Sequence, residues 1–302
     1  MLSIPRFDQF IQAFSNAVSL SSIYALIAIG YTMVYGILRL INFAHGDMMM
    51  MTMYFAFYSA SLFFAPWYVA FLIAIVGVVL LGISVERIVY RPIRSAPRAS
   101  LLISAIGTSY LLQNLATVVF SGIPKTFPVV PLFQDVLTIG TVKLQRLTII
   151  VPLLTVVIVI GLLNLVHKTK TGMGMRAISV DVSTSKLMGI NVNKIISATF
   201  AIGSALAAIG ALFWMLKFPK MDPYVGVIPG FKCFIAAVLG GIGNIKGAVL
   251  GATVLAFIEI MIIIFFPTLI NFKDAFAFII LILMLLFKPS GLLGETGTTE
   301  KA

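Results

Sequence analysis

The chain of 302 residues is 60% apolar and only 10% charged, and its mean hydropathy is +1.10. A soluble domain carries about 25% charged residues, so this composition excludes a water-soluble globular protein and predicts an integral membrane protein. The net charge of +11 does not indicate nucleic-acid binding, because the basic residues lie in short loops between apolar runs, where the positive-inside bias places them.

Apolar runs long enough to cross a bilayer recur along the chain. Backbone inside a bilayer must satisfy its own hydrogen bonds, and no alternating strand pattern occurs. We therefore predict an all-α, polytopic transmembrane helical bundle with about eight to ten membrane segments, some broken or re-entrant. Residues 1–302 show no shift in composition and are predicted to form a single transmembrane domain. The predicted segments are 18–38, 52–64, 67–85, 101–120, 148–166, 195–216, 228–244, 247–267 and 275–287.

Two further predictions concern the first apolar run and the longest loop before residue 148. The first run lacks a basic leader and a small-residue cleavage site, so it is predicted to be a retained span rather than a secretory signal. The longer loop 121–146 permits short strands at 129–130 and 136–139.

The loops indicate the orientation of the chain. The two most basic, 87–98 and 167–194, are separated by an even number of predicted crossings and are both predicted to be cytoplasmic. The polar C-terminal tail, 288–302, falls on the same side if three crossings follow 195–216. Three lysines fall on the other side: Lys217, Lys220 and Lys232.

The loop 167–194 contains five basic residues and a single acid, Asp181. Apolar residues at helical spacing within it are Met175, Ile178 and Val182. Together with Gly189, which stands where glycine commonly ends a helix, they predict one short surface helix from Arg176 to Gly189. Two interpretations are equally supported: a docking element for a soluble partner that moves the membrane body, or an interfacial loop facing lipid headgroups.

Two polar interruptions, 42–47 and 240–244, stand at roughly matching places in the two halves of the chain. Paired broken helices of this kind indicate a transport site. Alternatively, His45 and Asp47 lie at the membrane surface with Asp47 capping the next helix. The alternative for the late interruption is close helix packing through Gly243, Gly247 and Gly251. The residues predicted to line a substrate passage are Asn42, His45, Gly46, Gly240, Gly241, Gly243 and Asn244.

Nothing in the sequence predicts catalysis. No nucleophile and base occur at suitable spacing, and no carboxylate pair or redox motif is present. The two histidines, His45 and His167, lie in different loops, and the single Cys233 excludes a disulfide or a cysteine-based zinc site. The sequence therefore predicts neither an enzyme nor a metal site.

Two acids near or inside predicted spans need partners. Glu86 is predicted to pair with Arg87 or Arg91 at the surface. Glu259, inside the segment 247–267, is either a group that reaches the interface or a polar contact within the bundle, and we favour the contact.

Four stretches carry a resemblance to a known family. They are NFAHGD at 42–47, TGMGMRA at 171–177 followed by LMGIN at 187–191, DPYVG at 222–226, and AAVLGGIGN at 236–244. In this order, and over nearly the whole chain, they resemble the signatures of branched-chain amino acid ABC-transporter permeases, closest to the high-affinity H-type subunit. The chain departs from the usual pattern at SVDVSTSKL, which is richer in Ser and Thr, and at GGIGN, where many members have GGIGS.

The resemblance implies a permease for leucine, isoleucine or valine in the bacterial inner membrane, working by alternating access. It implies four kinds of partner: a second homologous permease subunit, two cytoplasmic ABC ATPase subunits, a periplasmic or lipid-tethered amino-acid-binding protein, and the bilayer. It implies no cofactor on this chain, since ATP is bound by the partner subunits. The residues implied at the ATPase-coupling interface are Gly172, Arg176, Ala177, Asp181, Leu187 and Gly189.

Two alternatives remain open at this point. Permeases for urea, short amides or other small polar solutes share these signatures. An ion-coupled secondary transporter would work without ATPases and would need a coupling carboxylate at mid-membrane depth, such as Glu259 or Asp47.

Overall fold

The computed structural model describes residues 7–128, 130–139 and 142–294, and these residues are mostly helical. The helices are α1 (Phe7–Leu38), α2 (His45–Leu62), α3 (Trp67–Val85), α4 (Arg98–Phe120), α5 (Pro131–Gln134), α6 (Arg146–Lys168), α7 (Lys170–Val180), α8 (Val182–Leu187), α9 (Val192–Lys217), α10 (Val227–Gly240), α11 (Ile245–Phe265) and α12 (Lys273–Phe287). A π-helical turn, Glu86–Tyr90, continues α3, and a 3-10 turn, Pro267–Phe272, precedes α12. The strands are β1 (Lys125–Thr126), β2 (Val136–Ile139), β3 (Val142–Gln145) and β4 (Lys220–Met221).

Seven helical segments within the described ranges are long and apolar enough to cross a bilayer. They are α1, α3 with its π-helical turn, α4, α6, α9, α11, and α12 with its 3-10 turn. This confirms the predicted all-α, multi-pass membrane class. α2 and α10 are shorter, with 18 and 14 residues, and both are largely buried in the bundle. The predicted total of eight to ten membrane segments is reached only if α2 and α10 are counted as membrane segments in addition to these seven.

The predicted bounds differ most for the first two helices. α1 begins at Phe7 rather than at 18, and its first turns leave Phe7, Phe10 and Phe14 exposed while Asp8 is half-buried. α2 begins at His45 rather than at 52. Its polar first turn is accommodated because other helices bury it and supply hydrogen bonds.

Two short antiparallel sheets lie at one end of the bundle, which we call the hairpin face. β1 pairs with β4, and β2 pairs with β3 with Leu137 opposite Leu144. The predicted strand 136–139 is confirmed. Of the predicted strand 129–130, Val129 lies outside the described residues, and Val130 is an extended residue that precedes α5.

Contacts between elements fix the direction of the helices. α1 begins at the hairpin face, where Gln12 Nε2 donates to the carbonyl oxygen of Lys143 in β3 (3.2 Å). α3, α6 and α12 run in the same direction as α1, whereas α4, α9 and α11 run back. α7 and α8 lie at the opposite end, which we call the α7 face. The basic loops 87–98 and 167–194 both lie at this face, so they share one side of the membrane, as predicted.

α1 is the central helix, since 94% of its most apolar 18-residue window is buried. It approaches α9 closely at two glycines. A Cβ atom on Gly30 would lie 2.8 Å from the carbonyl oxygen of Gly203, and one on Gly210 would lie 2.6 Å from the Ile27 side chain. Because lipid tails are as apolar as the helices, such close van der Waals packing stabilises a membrane bundle more than the hydrophobic effect does.

Candidate functional site

Two helices begin inside the bundle and meet near its centre. His45, the first residue of α2, has its Nε2 3.3 Å from the carbonyl oxygen of Ile27. Ile27 lies well before the end of α1, about 16 Å from the α7 face at 1.5 Å per residue. α10 begins beside α2: a Cβ on Gly226 would lie 2.0 Å from the carbonyl oxygen of Gly46, and one on Gly230 would lie 2.8 Å from its Cα. Only glycine permits backbones this close.

This crossing corrects the predicted pairing of the two broken segments. The counterpart of 42–47 in the second half of the chain is 218–226, which precedes α10, and not 240–244. Pro219 and Pro223 interrupt helix formation there, so the chain returns from the hairpin face to the bundle centre before α10 begins. From the crossing α2 runs to the hairpin face and α10 to the α7 face, an inverted arrangement known from transporters.

The first predicted passage residues are brought together at this crossing. Asn42 is 4% exposed, and its Oδ1 accepts from the hydroxyl of Tyr90 in the π-helical turn (2.8 Å). The ring of His45 lies 4.3 Å from that of Tyr31 in α1, and Gly46 packs on α10 as described above. Asn42, His45 and Gly46 therefore form one buried group at mid-bundle depth.

Asp47 is also buried, with 2% of its surface exposed. Its Oδ1 accepts from Nε2 of Gln113 in α4 (2.9 Å). The N-cap position of α2 is Ala44, which makes no side-chain capping bond. The alternative that placed His45 and Asp47 at the membrane surface, with Asp47 as a helix cap, is therefore wrong.

The remaining predicted passage residues form a separate group, in the turn between α10 and α11 at the α7 face. Asn244 caps α11, since its Oδ1 accepts from the backbone N–H of Lys246 (3.0 Å) and Gly247 (3.2 Å). Its Nδ2 donates to the carbonyl oxygen of Leu293 (2.9 Å), and the N–H of Leu293 donates to the carbonyl oxygen of Gly240 (2.9 Å). The turn is thus held by the segment that follows α12.

Glycines in this turn and at the start of α11 allow positive φ angles or close packing. Gly241 has φ +105° and packs against the segment that follows α12. Gly243 has φ +100° and lies before α11, so the predicted helical spacing of small residues does not include it. Gly247 and Gly251 do face α10, where a Cβ would lie 2.4 Å from the carbonyl oxygen of Gly240 and 2.0 Å from that of Ala236. A small cavity between the turn and the central crossing is lined by Tyr31, Tyr35, Phe234 and Ile242 among others.

Glu86 is fully buried at the start of the π-helical turn, so its predicted place at the surface is wrong. It pairs with Arg91 (3.0 Å) and with Arg94 (2.8 Å), not with Arg87. The hydroxyl of Ser197 in α9 also donates to it (2.7 Å). The turn places the carboxylate inside the bundle, and the half-buried side chains of both arginines reach it and supply the paired charges that a buried carboxylate needs.

Glu259 makes the predicted contact inside the bundle. Its Oε1 lies 2.8 Å from Nζ of Lys232 in α10, and its Oε2 accepts from the hydroxyl of Tyr24 in α1 (3.0 Å). Lys232 also lies 2.6 Å from a carboxylate oxygen of Asp274. The prediction that Lys232 lies on the outer side of the membrane is therefore wrong, since this residue is 4% exposed in a buried helix.

The predicted single helix from Arg176 to Gly189 is also wrong. α7 and α8 are separated at Asp181, which is extended (φ −154°, ψ 118°) and caps α8. Its carboxylate accepts from the backbone N–H of Ser183 (2.8 Å) and from the hydroxyl of Thr184. These hydrogen bonds, first that from Thr184, lower the pKa of Asp181 below its usual value. Gly189 follows α8 with φ +79°, as predicted for a glycine that ends a helix.

α7 folds back tightly onto the ends of α6 and α9. A Cβ on Gly172 would lie 2.3 Å from the carbonyl oxygen of Val166, and one on Gly174 would lie 2.8 Å from the side chain of Ile195. Arg176 is exposed and donates weakly to the carbonyl oxygen of His167 (3.4 Å), while Ala177 is half-buried. The most exposed apolar side chains of α7, α8 and the turn after them are Val180 (82%), Leu187 (87%) and Met188 (77%).

Comparison with known proteins assigns a family to this architecture. Residues 13–285 match the model of the family described as the permease component of branched-chain amino acid transport systems. The chain belongs to this family.

Among the described residues, no group of three or more His, Cys, Asp or Glu side chains is arranged to hold a metal ion.

Three curated relatives match over almost their whole length. The high-affinity branched-chain amino acid transport system permease protein BraD of Pseudomonas aeruginosa is 38% identical, with 97% of this chain and 98% of BraD aligned. The corresponding LivH proteins of Escherichia coli and Salmonella typhimurium are each 36% identical, with 96% of this chain and 97% of LivH aligned. All three names describe permease subunits of transport systems rather than enzymes.

Sequence reasoning missed the second half of the central crossing. Gly226 and Gly230 lie on either side of Pro229, and this combination in an apolar run is a signal for a helix start. It also missed the partner of Glu259, although Lys232 is a lone cation in a neighbouring apolar run. Two lone opposite charges in adjacent spans predict an ion pair.

Proposed function

We propose that this chain is the membrane-embedded permease subunit of an importer for leucine, isoleucine and valine in the inner membrane of a bacterium. The strongest support is 36% to 38% identity, over 96% to 97% of the chain, to permeases named for branched-chain amino acid transport. Import of one of these solutes requires an alternating passage, and the inverted half-helices α2 and α10 supply a position for it at mid-bundle depth.

The energy comes from two ABC ATPase subunits that bind at the α7 face, so this chain needs neither a hydrolytic site nor a cofactor of its own. The exposed apolar side chains of Val180, Leu187 and Met188 support such a docking surface, since they project from an otherwise polar segment. Asp181 and Gly189 set the bounds of α8 within the surface, and Gly172 allows α7 to fold back beneath it. Exposed Arg176 and half-buried Ala177 complete the α7 side of the contact.

A chain of contacts leads from this docking surface to the central crossing. α9 follows α8 after the short turn 188–191, and Asn193 in its first helical turn accepts from Arg94 (3.1 Å). Arg94 pairs with Glu86, the first residue of the π-helical turn, and the last residue of that turn, Tyr90, donates to Asn42. Single π-helical turns occur often at functional sites. Displacement of α8 and the start of α9 would thus move the segment that precedes α2.

The passage and the outer partners complete the proposal. Asn42, His45 and Gly46 are buried within this chain and come to line the passage at mid-bundle depth when the helices around the crossing move apart. A second homologous permease forms the other wall of the passage. The turn with Gly240, Gly241, Gly243 and Asn244 forms its cytoplasmic mouth. A periplasmic or lipid-tethered amino-acid-binding protein delivers the solute at the hairpin face, opposite the basic loops.

The substrate assignment is tested by uptake. The test uses a bacterial strain from which this gene and all other branched-chain amino acid importers have been deleted, complemented with the wild-type operon. Uptake of labelled leucine is then measured in the presence of unlabelled valine, urea or acetamide. We expect valine to compete and urea and acetamide to have no effect. Competition by urea or acetamide without competition by valine would instead assign the chain to the small-amide permeases.

The docking surface is tested by Leu187→Glu combined with Met188→Glu. A matched control is Ile123→Glu, which changes another exposed aliphatic side chain (70% exposed), at the hairpin face. We expect the double variant to lose the ATPase subunits on affinity purification and the control to retain them. Retention of both ATPases with normal transport-linked hydrolysis in the double variant would show that α8 is not the contact.

A further inference from the structure

Three carboxylates are buried in the transmembrane part of the described chain, and two of them are neutralised by basic side chains. Glu86 is paired with Arg91 and Arg94, and Glu259 is paired with Lys232. Asp47 differs. Its Oδ1 accepts from the neutral side chain of Gln113 in α4, and within the described residues its Oδ2 is buried without a hydrogen-bond partner. An uncompensated carboxylate at this depth is costly and marks a functional position.

The surroundings of Asp47 are suited to a cation. Asp47 lies in the first turn of α2, where the positive end of the helix dipole favours a negative group. Gln113 donates one hydrogen bond to Oδ1 from its amide nitrogen (2.9 Å), so the oxygen of that amide is not used in this bond and remains an acceptor. Two acceptor oxygens suit an ammonium group with three N–H donors, whereas Mg²⁺ or Ca²⁺ would need six or more oxygen ligands.

A polar track connects Asp47 to the outer surface of α4. Gln113 is 7% exposed and also donates to the hydroxyl of Ser109 (3.0 Å), which is half-buried. Next to Ser109, Tyr110 is 63% exposed near the middle of α4, and Asn114 is exposed one turn further on. α4 packs mainly against α2 and the π-helical turn, and its face with Tyr110 and Asn114 is exposed among the described residues.

The outer face of α4 carries Tyr110 and Asn114 among exposed aliphatic side chains such as Ile106, Leu111 and Leu115. The exposed large side chains in the middle of α3 and α12 are aliphatic: Leu72, Ile73, Val76, Leu80, Ile279, Ile282 and Leu283. Such faces are suited to lipid. An asparagine amide and a tyrosine hydroxyl at mid-span are not, and they indicate that the α4 face borders a hydrated passage.

We propose that Asp47 is the counter-charge that receives the α-ammonium group of a zwitterionic amino acid as it moves along α4. This inference rests on the proposed function and adds the group that recognises the charged end of the substrate. It explains why this acid, unlike Glu86 and Glu259, has no basic partner in the substrate-free chain. It also favours a zwitterion over urea or an amide, which would leave the carboxylate unneutralised.

The first test uses the complete complex with its ATPases in proteoliposomes. Asp47→Asn keeps the shape and the contact with Gln113 but removes the charge. Loss of a charge-assisted bond is expected to lower leucine transport about tenfold or more. ATP hydrolysis stimulated by the leucine-loaded binding protein should persist, so that hydrolysis is uncoupled from transport. The matched control Asp274→Asn changes a carboxylate outside the track and should transport normally, because Lys232 keeps its bond to Glu259.

Asp47→Asn with wild-type KM and kcat for leucine would overturn the inference. Absence of leucine transport by the wild-type complex would instead contradict the proposed function, so the two failures are distinguishable. If Asp47→Asn does not assemble, the second test decides.

The second test measures access from the passage. In a Cys233→Ala background, cysteine is introduced beside Asp47 by Ser109→Cys, which leaves the carboxylate in place. We expect a cationic, membrane-impermeant methanethiosulfonate reagent to label this cysteine during turnover, and leucine to slow the labelling. A thiol at position 109 that stays unreactive in every nucleotide state, or that leucine does not protect, would overturn the inference.

Discussion

At the residue scale, glycines of the α2–α10 crossing allow a very close approach of two backbones. We predict that Gly226→Ala destabilises the chain by about 1 to 3 kcal/mol through overpacking. The added Cβ would lie 2.0 Å from the carbonyl oxygen of Gly46, and a backbone atom cannot yield as a side chain can. The midpoint of thermal unfolding in detergent measures the effect.

The control for this prediction is Gly161→Ala in α6. Nothing lies within 4 Å of a Cβ at that position, so alanine should be neutral, or stabilising by up to about 1 kcal/mol through its helix propensity. If both variants shift the midpoint equally, steric closeness at the crossing is not what constrains Gly226.

A second residue-scale prediction concerns the buried ion pair of Lys232 and Glu259. Lys232→Met leaves a buried carboxylate with only the Tyr24 hydroxyl and, at 3.7 Å, Lys273. We expect a loss of about 3 kcal/mol, because breaking a buried pair strands one charge. Adding Glu259→Gln should recover most of that loss.

The double-mutant cycle separates this account from simple additivity. Equilibrium unfolding in mixed micelles gives the free energy for the wild type, the two single variants and the double variant. A double variant less stable than Lys232→Met would contradict a coupled pair and would indicate that each side chain contributes by packing alone.

At the element scale, α8 depends on its cap. We predict that Asp181→Ala increases hydrogen exchange of the Ser183 and Thr184 amides about fivefold at neutral pH, as expected for loss of an N-cap. The control Ser179→Ala removes a hydroxyl that bonds only within α7 and should not change these amides. Unchanged exchange in Asp181→Ala would show that the cap does not hold α8.

The pH dependence of this effect follows from the direction of the pKa shift. The pKa of Asp181 is lowered in the folded chain, so the cap is complete at neutral pH and is lost as the pH falls through that folded value. The difference between wild type and Asp181→Ala should therefore persist down to acidic pH and vanish only when the carboxylate is protonated.

Hydropathy was sufficient to predict the long helices but not the two half-helices. α3 agrees with its predicted bounds because a continuous apolar run has no competing signal. The start of α2 was placed too late because its first turn is polar, and its polar groups are satisfied by α4, a contact at long sequence separation. The break in 167–194 was missed because a single Asp can cap one helix while ending another, and helical spacing alone does not detect this.

At the scale of the whole molecule, the sequence motifs identified residues of the candidate site but did not predict which of them lie together. Asn42, His45 and Gly46 do meet at the centre, as predicted from the early interruption. The late interruption instead forms a turn at the α7 face. Its glycines signal close packing and positive φ angles, which look the same in sequence whether or not they border a passage. The depth of the early and the late interruption in the bundle could be assigned only once the directions of the helices were known.

The central claim is that this membrane body is moved from outside, through α7 and α8, by ATP hydrolysis on partner subunits. The most direct measurement is leucine accumulation in proteoliposomes that contain either the purified chain alone or the complete complex with binding protein. We predict accumulation only with the complete complex and internal ATP. Accumulation by the chain alone, driven by a proton or sodium gradient, would contradict the claim and would identify an ion-coupled transporter.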